Sequence, residues 1–281
     1  TDDTKYTHCE IHSAFILSAI ANTVPLPHHA QAPRNVYSSH QMKQTVGVFN
    51  TNYPSRFETF SHILHYPQRP LVDSKFSKYV FSRNLPSGIN AIVAIGSYTG
   101  YNQEDSIILN RSSMERGMFQ SLYHRSYQEE EEDTTKTGGF TTEISRFCNP
   151  NIISRTRPIS KMGNNKNYSY LNEDGIISVE TQVNENDVLI GKFSVSDKQT
   201  EQGESILDIT GATINKGSYG TVDKVLVVER DHSLRLAKFR IRKIKNPEIG
   251  DKFAARSGQK GTIGMIIPAS DMPYTKDGIV P

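Results

Sequence analysis

Apolar and polar positions alternate unevenly along this chain. Residues 10–22 (EIHSAFILSAIAN) place apolar side chains at helical spacing and run toward Pro25 and Pro27. That pattern predicts one short helix ending before the prolines. Residues 25–34 form a loop bearing proline, histidine and glutamine, and residues 36–50, polar with a few apolar positions, fit a second helix. The stretch YPQRP (66–70) is extended, because proline excludes α geometry from the residue before it. The run INAIVAIGS (89–97) is continuously apolar over strand length and predicts a buried strand. A loop over 98–105 follows, then another short strand at 107–109. Beyond Leu122 the pattern loosens. Residues 128–216 are rich in Asn, Thr, Ser and Glu, with short apolar patches at 175–179 and 187–191. They predict a β-rich insertion with long loops. Residues 220–245 alternate as a hairpin that turns at Asp231–His232. The fold class expected is mainly β with some α, its middle section interrupting the rest.

Composition adds limits. A chain of 281 residues suits one large or two medium domains. No apolar run approaches the ~18 residues of a membrane span, and residues 14–24 follow an acidic, polar start that is not a signal peptide. Cys9 and Cys148 cannot make a disulfide framework, which points to a reducing compartment. The net charge of +2 hides an uneven distribution. Residues 224–260 hold eleven Lys or Arg against four Asp or Glu, a basic stretch suited to a polyanion, while 129–133 is a run of five acids expected to be a solvated loop. The chain starts at Thr1 and stops at Pro281 within an apolar phrase, so it is expected to be a piece of a longer polypeptide.

The chemistry concentrates in EIGDKFAARSGQKGTIG (248–264), where Lys252 and Lys260 lie eight residues apart with Arg256 between them. Gly250, Gly258, Gly261 and Gly264 permit positive φ and close backbone approach. An ammonium on such a turn is a good point charge for a phosphate; the other reading is a basic hairpin turn facing solvent. In NQEDS (102–106), adjacent Glu104 and Asp105 suit Mg²⁺, which takes one or two carboxylates beside substrate phosphates. Alternatively they cap a polar turn. In QAPRN (31–35), Arg34 on a rigid loop either forks onto a phosphate or pairs with a carboxylate. Lys43 and Gln44 are a weaker polar pair facing ligand or solvent. His8, Cys9 and His12 have a metal-like spacing but no second cluster to complete a zinc site. There is no P-loop, GxSxG or HExxH motif, and GSYTG (96–100) is no dinucleotide fingerprint.

Taken in order, QAPRN, KQ, YPQRPL, GINAIVAIGSYTGYNQEDSIILNRSSMERGMF, GDKFAARSGQKGTIG and DMPYTKDGIVP resemble the second-largest, β-like subunit of multisubunit DNA-directed RNA polymerases. The likeness is to the eukaryotic polymerase II type and its relatives in archaea and large DNA viruses. It is dense over 7–122 and 247–281 and loose between. The resemblance implies a hybrid-binding region, containing a double-psi β-barrel, over 1–122 and 247–281, interrupted by a wall or flap over 123–246.

The resemblance also implies roles. Lys252 and Lys260 match lysines that contact RNA backbone near the 3′ end and the incoming nucleotide. Asp105, with Glu104 beside it, matches the acidic pair near the second, nucleotide-borne Mg²⁺, whose contact is direct or indirect. Arg34 matches an arginine approaching the triphosphate; Gln31, Lys43 and Gln44 match polar residues lining the hybrid; Arg256 supports the phosphate contacts. The main Mg²⁺ site belongs to the largest subunit, and zinc is expected only in a downstream part, so this piece alone is expected to be inactive. Implied partners are the largest and other polymerase subunits, template DNA, nascent RNA and nucleoside triphosphates, with no membrane. Implied locations are the nucleus for a eukaryotic source, or a viral cytoplasmic factory and virion for a large DNA virus. Met42 stands where the family has glycine before Lys-Gln, and Ala30 replaces a common asparagine. The alternative is a noncatalytic nucleic-acid-binding or assembly module that keeps the fold.

Overall fold

The computed structural model describes residues 5–80, 84–135, 142–163, 165–199, 205–230 and 234–281. The chain is mainly β with few helices, and it divides into two compact units. The first comprises residues 1–53, 62–122 and 244–281; the second comprises 54–61 and 123–243.

In chain order the first elements are α1 (Ala32–Met42), β1 (Phe60–Leu64), β2 (Ser106–Asn110) and α2 (Arg111–Glu115). Pro33 in the first turn of α1 suits a position where a missing N–H costs nothing. The Asn110 side chain ends β2 and starts α2 by accepting from the Ser112 and Ser113 amides. The chain then runs through β3 (Ser121–Glu130), β4 (Glu132–Thr135), β5 (Thr142–Phe147), α3 (Pro150–Ile153), β6 (Ile159–Lys161), β7 (Gln182–Val183), β8 (Lys192–Gln199), β9 (Ser205–Thr210), β10 (Gly220–Glu229) and β11 (Arg235–Lys245). It closes with β12 (Lys252–Ala254) and β13 (Lys260–Ile267).

In the first unit, β12, β13 and β2 form a three-stranded sheet in that order, antiparallel then parallel. The parallel ladder shifts register between Ile263 and Met265. Gly264 sits at this irregularity, where a Cβ would lie 2.4 Å from the Tyr101 carbonyl oxygen. Only glycine permits that approach.

In the second unit, β3, β11, β10 and β7 are neighbours in one sheet, and β4-β5-β8-β9-β6 is the order of another. The unit's core joins Phe147, Tyr168, Ile177, Leu189, Ile190, Val222 and Phe239, among others. Residues 175–177 and 187–191 of the two apolar patches are buried there, while Val179 is exposed. Ile176 and Ile190 pair as an isolated bridge. The predicted hairpin is present: β10 and β11 pair antiparallel from Thr221 opposite Arg242 to Glu229 opposite Arg235. Its proposed turn at Asp231–His232 lies outside the described residues.

Several expectations need correction. Residues 10–22 make two short 3₁₀ segments, Ser13–Ile16 and Ala21–Thr23, and no α-helix. His12 Nδ1 accepts from the Ala14 amide, so that histidine caps a turn. Arg34 is in the first turn of a helix rather than on a loop, and the second helix starts at Ala32, four residues before the expected 36. The run 89–97 is neither a strand nor buried; Ile95 is 99% exposed. Among the described residues no strand pairs with it. The acidic run 129–133 is not a solvated loop. It lies along β3 and β4, and Glu131 is buried. Glu131 accepts from the Phe147 and Arg235 amides and from the Arg235 guanidinium at 2.8 Å. Burial alone would raise its pKa, but these bonds outweigh it and hold the carboxyl below its ordinary value.

Candidate functional site

Lys252 and Lys260 owe their proximity to a hairpin. β12 pairs with β13 with Lys252 opposite Thr262 and Ala254 opposite Lys260. Directly opposed residues share a face, and so do residues two apart on one strand. The two lysines are therefore diagonal neighbours on one face, with Cα atoms roughly 7–8 Å apart. The opposite face carries Phe253, Gly261 and Ile263, which are buried or partly buried, while both lysines are exposed. Phe253 packs against Phe119, with centroids 4.2 Å apart and rings tilted by 47°, and anchors that inner face.

The loop joining the strands is Arg256–Ser257–Gly258, bracketed by an Ala255 amide bond to the Gln259 carbonyl. Gly258 has φ +82°, as a three-residue hairpin loop requires. A Cβ there would lie 2.3 Å from the Arg34 carbonyl oxygen, so the loop packs directly on the first turn of α1. The Arg34 guanidinium donates to the Gly258 carbonyl at 3.3 Å and lies 5.9 Å from the Tyr37 ring. Ser38 Oγ donates to the Arg256 carbonyl at 2.6 Å, a second tie between helix and loop.

Arg256 itself points inward. It donates to the Thr23 and Val72 carbonyls and lies 3.8 Å from the Asp73 carboxylate. Burial lowers its pKa, with Asp73 opposing that shift. This guanidinium fastens the lysine loop to two other chain segments, so any support it gives to phosphate contacts acts through the loop.

Glu104 and Asp105 flank the same sheet from the other side. The Thr262 amide donates to the Asp105 carbonyl at 2.9 Å, just before β2 begins pairing with β13. Asp105 thus lies one strand from Lys260 and about two strand spacings, roughly 10 Å, from the Lys252 strand. Both acidic residues are left-handed, with φ +50° and +64°. Consecutive non-glycine residues in that region are strained, and such strain gathers where a fold must aim a side chain. Both are exposed, and among the described residues neither carboxylate has a hydrogen bond or ion pair. The same holds for the ammonium groups of Lys252 and Lys260.

Lys252, Lys260, Arg34, Glu104 and Asp105 therefore gather around one small sheet. Gln31, immediately before α1, is one turn from Arg34. Lys43 and Gln44 are not brought to this group by any described contact. They sit at and beyond the far end of an eleven-residue helix, roughly 16 Å along its axis. Met42 beside them accepts from Thr23 Oγ1 through its sulfur, so this side chain packs inward. The sequence motifs did not disclose that Ser38 and Tyr37 brace the site from α1. Only their helical spacing from Arg34 hinted at it.

Exposed lysines and carboxylates that are unpaired among the described residues thus lie around one small sheet, a chemistry suited to a phosphate-bearing ligand. Among the described residues no group of three or more His, Cys, Asp or Glu is arranged to hold an ion. The family model for RNA polymerase Rpb2, domain 6, matches residues 20–281. The chain is 42% identical to DNA-directed RNA polymerase II subunit 2 of Arabidopsis thaliana, over 99% of this chain and 23% of that protein. It is 43% identical to subunit RPB2 of Encephalitozoon cuniculi, over 99% and 24% respectively. Against the archaeal subunit Rpo2 of Saccharolobus shibatae the figure is 42%, over 99% and 24%. This chain belongs to the RNA polymerase Rpb2 domain 6 family, and it spans about a quarter of the curated relatives it matches.

Proposed function

We propose that this chain is the part of a DNA-directed RNA polymerase second-largest subunit that supplies cations and a carboxylate pair to a shared active site. One observation carries the reading: Lys252 and Lys260 on a three-stranded sheet, and Asp105 just before its third strand, have charged groups unpaired among the described residues. On this reading Lys252 and Lys260 contact the transcript backbone near its 3′ end and the incoming nucleotide. Arg34 approaches the triphosphate, while Gln31, Lys43 and Gln44 line the RNA–DNA hybrid. Unpaired ammonium groups give affinity for phosphate without reading base sequence. Held rigidly, they also offset charge as it develops during nucleotidyl transfer.

Glu104 and Asp105 fit the Mg²⁺ that arrives on a nucleotide. Two exposed carboxylates, without further ligands, suit an ion that retains water and substrate phosphate. When bound, such an ion would neutralise the leaving pyrophosphate. The main Mg²⁺ site is assigned to the largest subunit and zinc to a downstream part, so this chain is inactive alone. The first unit corresponds on this reading to the hybrid-binding region with its double-psi β-barrel, and the second to the wall. Template DNA, nascent RNA, nucleoside triphosphates and the other polymerase subunits are its partners. The similarity to eukaryotic polymerase II subunits favours the nucleus over a viral factory. Retention of Lys252, Lys260, Asp105 and Arg34 opposes the noncatalytic alternative.

In an assembled polymerase carrying this chain, Lys252→Ala or Lys260→Ala should slow nucleotide addition about 100-fold, the scale seen when one preorganised charge-stabilising group is lost. Unchanged elongation rates would remove the assignment. Asp105→Ala should raise the Mg²⁺ concentration needed for half-maximal addition. An unaltered Mg²⁺ dependence would remove that carboxylate from the scheme.

A further inference from the structure

The hairpin loop 256–258 belongs to a closed ring of side-chain bonds that pairing of β12 with β13 does not itself require. Ser38 Oγ of α1 donates to the Arg256 carbonyl at 2.6 Å. The Arg256 guanidinium donates to the Thr23 and Val72 carbonyls and lies 3.8 Å from the Asp73 carboxylate. Ser74 Oγ donates to the Asn22 carbonyl at 2.6 Å, which ties segment 72–74 to Ala21–Thr23. Thr23 Oγ1 donates to Met42 Sδ at 3.4 Å and returns the ring to α1. Ser38, Asn22 and Thr23 are buried, so these bonds form where an unmade bond is most costly.

The ring bears on the lysines because β12 is a three-residue strand at the edge of its sheet. The loop links the Lys252 strand to the Lys260 strand. A displaced loop slides or twists β12 against β13 and changes the diagonal spacing of the two ammonium groups. Arginine suits the anchor, since one planar fork reaches two carbonyls, whereas a lysine ammonium is a point charge without that geometry. Asp73 Oδ1 accepts from the Ser74 amide at 3.0 Å, so the carboxylate is itself held beside the guanidinium. We propose that Ser38 and Asp73 are positioning residues for nucleotide addition: acting through Arg256 and its loop, they set where Lys252 and Lys260 stand. This rests on the active-site reading of those two lysines.

The test is the rate of single-nucleotide addition, at saturating nucleotide, by the assembled polymerase carrying this chain. Ser38→Ala and Arg256→Lys should each slow addition about tenfold and Asp73→Asn about threefold, because a misplacement of about 1 Å can cost up to ~100-fold. The decisive comparison is a double-mutant cycle. In a Lys252→Ala/Lys260→Ala background the same substitutions should slow addition less than about twofold further, since the groups they position are gone. A role confined to stability would slow both backgrounds equally. Asp73→Asn is isosteric, so it decides the question should Ser38→Ala fail to assemble. The proposal is overturned if the two backgrounds are slowed equally or if neither Ser38→Ala nor Asp73→Asn slows the wild-type background. It is also overturned if Arg256→Lys adds nucleotide at the wild-type rate, which would make its charge, not its fork, the working part. A double lysine variant that keeps the wild-type rate would instead remove the active-site reading, and this proposal with it.

Discussion

The charged clusters of the two units differ in how far they are paired. In the second, acids and bases clustered along β3, β10 and β11 neutralise each other within the fold. Asp223 Oδ2 lies 2.5 Å from Arg240 and Oδ1 lies 3.1 Å from Arg242, while Arg242 also holds Glu180 at 2.5 Å. Glu129, Glu130, Glu131 and Asp133 each face a lysine or arginine. In the first unit Lys252, Lys260, Glu104 and Asp105 stand exposed, and none has a partner among the described residues. Charge density in the sequence does not separate the two cases, because residues 224–260 contain both kinds. What separates them is whether the strand register delivers a counter-charge. Internally paired charges support the fold. Charges positioned on rigid strands but left unpaired are available to a ligand.

The sharpest way to break this comparison is Asp223→Ala. Burial would raise the Asp223 pKa, but hydrogen bonds from Arg240 and Arg242 outweigh it and keep the carboxylate ionised. Removing it takes the counter-charge from Arg240, whose side chain is almost fully buried. Breaking one partner of a buried pair costs about 3–5 kcal/mol. Urea unfolding should report a loss of that size. A loss below about 1 kcal/mol would mean that these pairs are incidental and the contrast between units is false.

The next effect depends on pH. His124 is buried beside this cluster, and its Nε2 has no hydrogen-bond partner among the described residues. Burial first, then the positive charges of Arg240 and Arg242, push its pKa down to about 4, with Asp223 opposing them. In the unfolded chain the imidazole takes up a proton below about 6.5, whereas in the folded chain it does so only near 4. Between those values the unfolded state binds the extra proton, so stability falls as pH drops and levels off below pH 4. The shift corresponds to about 3 kcal/mol. Unfolding free energies measured between pH 7 and pH 4 should show that decline, and His124→Leu should flatten it. An equal decline in both proteins would assign it to other groups.

The legibility of the sequence follows the same division. The glycines of 248–264 announced close packing and positive φ, and Gly250 and Gly258 have that φ while Gly261 and Gly264 touch neighbouring backbone. Such requirements are local, so motif reading reached them. The β10–β11 hairpin was legible for the same reason, since alternation and antiparallel pairing lie within 26 consecutive residues. The acidic run was misread because Glu131 finds Arg235 more than a hundred residues away. Spacing along the chain carries no trace of that pairing. The segment 89–97 failed differently. A continuous apolar run suggested burial, but a strand also needs backbone partners, and pattern alone does not name them. Residues 10–22 had helical spacing, yet Asn22 takes the Ala14 and Leu17 carbonyls with its side chain and holds a tighter, broken path.

The smallest effect is the most discriminating. Lys252→Ala and Lys260→Ala should each change the unfolding free energy by no more than about 0.5 kcal/mol, the range for exposed positions without special contacts. The register gives a reason to expect the sign as well. Two ammonium groups diagonal on one face repel, and among the described residues no carboxylate offsets them, so removing either should leave the sheet unchanged or slightly more stable. The same substitutions are expected to slow nucleotide addition about 100-fold. A large loss of activity with no loss of stability is what a ligand-directed charge predicts, and it is the reverse of Asp223→Ala. If Lys252→Ala unfolds the chain as readily as Asp223→Ala does, the lysine was holding the fold, and the two units would not differ in the way they handle charge.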